Sequence, residues 1–122
     1  MIEQPLQHLT AMLIDEARSD VVNLSAILWE VKRILPELTG EIAKAKTIAI
    51  VKMMLEEGIL AGQFGPIEGD EHVSPFVPWK TTTEETVRRI THEWELLARA
   101  PYPGDIAWFV APTRLPYGLL PS

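Results

Sequence analysis

The sequence predicts an α+β fold, and three features carry that prediction. Up to Glu57, apolar residues recur at helical spacing, in stretches broken by Ser19-Asp20 and by Pro36. After Gly58 the pattern shortens to brief apolar runs on either side of a turn rich in glycine, proline and acid. Beyond Lys80 come a capped helix and one more apolar run.

In the first stretch Leu6, Leu9, Leu13, Ile14 and Ala17 share one face of a helix from Leu6 to Ala17, and Ser19-Asp20 ends it. Val21-Val22 is β-branched and reads as a brief strand. Asn23 can accept a hydrogen bond from the next turn, so it caps a second helix reaching Leu35. Leu24, Ile27, Leu28, Val31, Ile34 and Leu35 are its apolar positions. Pro36 stops it, because proline disfavours helical backbone in the residue before it and has no N–H to donate. Thr39 caps a third helix, Gly40 to Glu57. Ile42, Ala45, Ile48, Ala49, Val51, Met53 and Leu55 need cover on more than one face, so this helix is expected at the centre. Gly58 suits the left-handed cap past its end.

Ile59 to Phe64 reads as a strand, followed by the turn Gly65 to Glu71. The chain returns from Val73 to Trp79, where Pro75 and Pro78 restrict it to an irregular or edge strand. Thr82-x-x-Glu85 is a capping box that opens the last helix, with Val87, Ile90, Trp94 and Leu97 as its buried stripe. The Pro101 to Asp105 turn leads into Ile106 to Val110, apolar on both faces and expected to be covered on both. Ala111 to Ser122 contains Pro112, Pro116 and Pro121 and reads as an extended tail.

No repeat or shift in composition divides the chain, so residues 1–122 read as a single domain. Its order of elements through Trp79 is that of a winged helix. Three helices and a β-hairpin wing are expected, with an appended C-terminal helix and strand.

Composition then narrows the function. A chain of 122 residues with 47% hydrophobic content can bury a core without staples. It has no cysteine, which excludes disulfides, thiolate metal sites and cysteine nucleophiles and suits a reducing cytoplasm. Met1 to Pro5 shows neither a basic region nor an apolar run behind it, so no signal peptide is expected. Ile48 to Val51 is cut by Lys52, far short of the ~20 apolar residues of a membrane span. No membrane partner is expected. The net charge of −6 counts against general nucleic-acid binding and suits a basic protein partner, while also serving solubility.

Trp79, Thr82-Thr83-Glu84-Glu85, Arg89-Ile90, Glu93-Trp94, Pro103-Gly104-Asp105-Ile106 and Trp108-Phe109 together resemble a known pattern. It is that of the C-terminal half of a family of small uncharacterised bacterial proteins with a winged-helix-like front and a Pro-Gly-Asp-Ile-x-Trp-Phe strand. The resemblance implies the same architecture and a bacterial origin. It brings no catalytic residue with it.

Motifs of catalysis are missing. His92-Glu93 begins like a zinc-protease helix, but the second histidine would fall at Leu96. Glu68, Asp70 and Glu71 lie in a glycine-containing loop without the ligand spacing of a calcium site. Glu56-Glu57 and Glu84-Glu85 are adjacent in sequence, so neither pair faces itself across a helix as an acid–base dyad. There is no nucleophile elbow, phosphate-binding glycine loop or dinucleotide fingerprint. No enzyme activity, metal or cofactor is expected.

Two functions remain. DNA binding by a winged helix needs a polar, basic third helix and a basic wing. Here the third helix is largely apolar and the wing tip is acidic. Between Asp20 and Phe64 the basic residues Lys32, Arg33, Lys44, Lys46 and Lys52 are slightly outnumbered by acids. A protein-binding module fits better, of inhibitor or immunity type, steered to a basic partner by its acidic surface. Glu68, Asp70, Glu71 and Trp79 are the expected contact residues. Trp94 and Trp108 lie on faces expected to be buried, and Trp29 lies beside one. Trp79, just beyond Pro78, is expected to be exposed and to anchor a partner. Beyond these two, a structural or dimerisation role could use the tail residues Leu115, Tyr117, Leu119 and Leu120.

Overall fold

A computed structural model describes residues 4–64 and 76–114. Helix α1 spans Gln4–Ser19 and buries Leu6, Leu9, Thr10, Leu13, Ile14 and Ala17. The Thr10 hydroxyl donates back to the Leu6 carbonyl, which satisfies the polar residue on that face. Strand β1 is Val22–Asn23. The Asn23 side chain accepts from the Ala26 N–H at 2.9 Å and opens α2, Leu24–Ile34. Helix α3, Gly40–Glu56, begins at Thr39, whose hydroxyl accepts from the Ile42 N–H. It closes where Gly58 takes φ +95°. There the Gly58 N–H donates to Leu55 and the Ile59 N–H donates to Met54, a Schellman closure.

The inward face of α3 differs from the residues expected to need cover. Ala43, Thr47, Ile50, Val51 and Met54 are buried, whereas Ile42 is 47% exposed and Ala45 and Ala49 face outward. A helix this apolar all round does not select its inward face from its own pattern. Packing against α1, α2 and α4 selects it, and α3 is central as expected.

Strand β2 is Leu60–Phe64 and β3 is Phe76–Pro78. Helix α4, Thr83–Leu97, opens with the expected capping box: Thr82 N–H donates to Glu85 Oε1, and Glu85 N–H donates to Thr82 Oγ1. Thr82→Ala is expected to lower stability by about 1 kcal/mol, measured by urea unfolding. Strand β4 is Trp108–Val110, and a 3-10 turn follows at Pro112–Arg114.

The protein is therefore α+β: among the described residues, four helices pack with a four-stranded antiparallel sheet ordered β1-β4-β2-β3. The last strand is not an appendage. It lies between β1 and β2, with Phe109 opposite both Val22 and Ala61. Phe109 and Val110 are fully buried, as a central strand apolar on both faces requires, and Trp108 is half-buried. The tail, expected to be extended from Ala111, turns at its start. Ala111 N–H donates to the Ala17 carbonyl, and the fixed φ of Pro112 fits the 3-10 turn. Residues 115–122, with Leu115, Tyr117, Leu119 and Leu120, lie outside the described residues.

Candidate functional site

The buried stripe of α2 is Leu24, Ile27, Leu28 and Val31. Trp29 stands about 100° around the helix from Leu28, and Ser25, Ala26, Lys32 and Arg33 are its helical neighbours. Trp29 is 63% exposed. Arg33 lies 5.9 Å from the ring centroid while bonded to Glu30 at 2.7 Å. On α1, Met12 sits between His8 and Glu16 by the same rule and is 45% exposed. Trp29 and Met12 line an open groove of about 600 Å³, walled also by Leu28, Pro101 and Pro103.

The loop carrying the prolines is held in place. The Asp105 carboxylate accepts from the Tyr102 N–H and from the Arg99 guanidinium, both at 2.9 Å. That guanidinium lies 3.8 Å from the Tyr102 ring centroid, and Tyr102 is 61% exposed. Next in the chain, Ala107 N–H donates to the Asp105 carbonyl around Ile106, whose φ is +69°. This is a γ-turn of the strained hand, uncommon for a β-branched residue. It persists because its surroundings grip it. Gln63 Nε2 donates to the Ile106 carbonyl, and Leu24 N–H donates to the Ala107 carbonyl. Strain that a fold maintains in this way concentrates at functional sites.

The Tyr102 N–H first, and the Arg99 hydrogen bond second, hold the Asp105 carboxyl below its ordinary value of 3.8. The Glu85 carboxyl is likewise lowered from 4.5, by the Thr82 N–H first and the Thr82 side chain second. A carboxyl with a lowered folded pKa stabilises the fold above its unfolded pKa, and that stability is lost as pH falls through the folded value. Melting temperature is therefore expected to fall as pH drops through and below the ordinary carboxyl values of 4.5 and 3.8. Asp105→Asn and Glu85→Gln should each flatten that slope in a thermal-denaturation series.

The expected contact residues fare differently. Glu68, Asp70 and Glu71 lie outside the described residues. Trp79 is half-buried rather than exposed. Its backbone N–H donates to Ala61, and it packs against the core. The Arg89 guanidinium covers it, 3.8 Å from the ring centroid. Its indole N–H is buried and finds no hydrogen-bond partner among the described residues. His8 and His92 are exposed, and among the described residues no three His, Asp or Glu side chains gather to hold a metal. No helix among these residues is long and apolar enough to cross a membrane. No family model matches the chain, and neither a curated protein nor a solved structure matches it.

Proposed function

We propose that the chain is a non-enzymatic protein-binding module of the bacterial cytoplasm, with the α1–α2 groove as its contact surface. The observation that carries this reading is Trp29, 63% exposed beside a groove whose proline wall is pinned by Asp105. Tryptophan and tyrosine dominate binding energy when a partner desolvates them, and a preorganised wall lowers the entropic cost of contact. Met12, which also lines the groove, and Tyr102, between the two wall prolines in sequence, add exposed apolar surface.

The net charge of −6 favours a basic partner, as for an inhibitor or immunity-type protein acting on a nuclease. Glu68, Asp70 and Glu71 are the proposed steering charges, and the uncovered part of Trp79 is a proposed secondary contact. The order of helices and hairpin supports a winged-helix-like description, with β4 inserted between β1 and the wing. DNA binding through α3 draws less support. Its outward residues are Glu41, Ile42, Ala45, Ala49, Lys52 and Glu56, which neutralise little phosphate.

The test starts from capture of a bacterial protein on the immobilised chain, followed by purification of that protein and titration. Trp29→Ala is expected to raise Kd at least 30-fold, about 2 kcal/mol, with partial recovery in Trp29→Phe. An unchanged Kd removes the groove from the reading. Joint substitution of Glu68, Asp70 and Glu71 by lysine should slow association several-fold at low salt and leave dissociation nearly unaltered. An unaltered on-rate removes the acidic loop.

A further inference from the structure

We propose that the groove is self-complementary, and that a second copy of this chain occupies it through a two-fold interface until a foreign partner displaces it. The inference rests on the reading of the groove as a protein-contact surface, and it names the first occupant of that surface.

The argument is one of charge. Of the charged residues that line the groove, Glu30 is already paired within the chain, with Arg33. Two that line the groove are not. Glu16 stands on the α1 side and Lys32 on the α2 side, both exposed, and neither side chain has an ion-pair partner among the described residues. A two-fold interface brings each residue i of one copy to residue j of the other, and j to i. Laying the α1 side of one copy over the α2 side of the other therefore makes the Glu16–Lys32 pair twice.

The same operation treats the apolar residues alike. It sets the α2 residue Trp29 of each copy against the α1 residue Met12 of the other, so both exposed side chains lose water together. A two-fold contact of this kind closes on itself and stops at the dimer. Long-range repulsion between two chains of net charge −6 opposes association and keeps it weak. Weakness is what exchange with a foreign partner requires. The dimer would hide the groove when no partner is present.

Sedimentation equilibrium on the full chain, from about 1 μM to 1 mM, a range set to bracket weak association, tests this. A concentration-dependent dimer is expected, and Trp29→Ala should weaken it at least tenfold. Glu16→Lys and Lys32→Glu should each weaken it as much, because each places like charges together at both symmetric positions. The double variant, and an equimolar mixture of the two single variants, should both recover the dimer. Recovery in the mixture is a result that a folding defect in either variant cannot produce. A wild-type chain that stays monomeric at 1 mM overturns the proposal. So does a dimer indifferent to the charge swaps, which would place self-association on another face. A monomer that still captures a purified partner through Trp29 overturns this inference and leaves the protein-binding reading standing.

Discussion

Phe109→Ala is expected to lower stability by about 4 kcal/mol, close to the whole margin of a marginal domain. Phe109 is fully buried in β4, an interior strand of the sheet, paired with Val22 on one side and Ala61 on the other. Both neighbours are smaller, and neither strand can close over the gap without breaking the β1–β4 or β2–β4 ladder. The loss is therefore the transfer of the ring plus the cavity it leaves. Urea unfolding measures it, and a loss below about 2 kcal/mol would show that the sheet collapses around the site. Trp29→Ala is the natural contrast. It removes a larger aromatic side chain, yet most of that side chain already meets water. Its stability change is expected to stay within about 0.5 kcal/mol.

Gly62→Ala is the second large effect, a loss of about 3 kcal/mol. Gly62 lies in β2 between Trp108 of β4 and Pro78 of β3. A Cβ there would collide with the Val77 carbonyl oxygen, and would stand 2.8 Å from both the Pro78 Cα and the tip of the Phe76 ring. The oxygen and the Cα are backbone atoms of the paired strand, so relief requires the β2–β3 ladder to part. The Phe76 ring has little room to yield. It meets Phe64 edge-on with ring centroids 5.6 Å apart, and Phe64 meets Trp108 at 5.5 Å. Gly40→Ala is the control. At the first position of α3 a Cβ meets nothing within 4 Å, so that variant is expected to be neutral or stabilising by up to about 1 kcal/mol. Equal behaviour of the two variants in thermal denaturation would contradict the crowding at Gly62.

Much of the candidate site is legible in the amino-acid sequence. The outward position of Trp29 follows from its helical neighbours Ser25, Lys32 and Arg33, which are polar. Leu28, directly before it, draws the ring toward the core in a reading by proximity along the chain, which the helical period does not respect. Met12, between His8 and Glu16, is open to the same reasoning. Trp79 is not. Its cover comes from Arg89, ten residues on and one helix away, and nothing in the local pattern of Pro78-Trp79-Lys80 signals that contact.

The sequence by itself determined the helices and their caps, while the strand expected from Ile106 begins only at Trp108, past the turn at Ile106. Asn23, Thr39 and Thr82 cap their helices, Gly58 closes α3, the apolar stripes of α1 and of α2 up to Val31 face inward as expected, and of the α4 stripe Ile90 and Trp94 are buried while Val87 and Leu97 are half-buried. These are interactions between residues within about four positions of each other, so spacing alone encodes them. Tertiary structure decided the rest. It set the inward face of α3, the insertion of β4 between β1 and β2, and the cover over Trp79. It also brought Pro101 and Pro103 against α1 and α2 to make a groove. Each of these joins segments distant along the chain. Such contacts are chosen by how well whole surfaces fit, since several pairings satisfy the same apolar pattern and only one fills the core without voids.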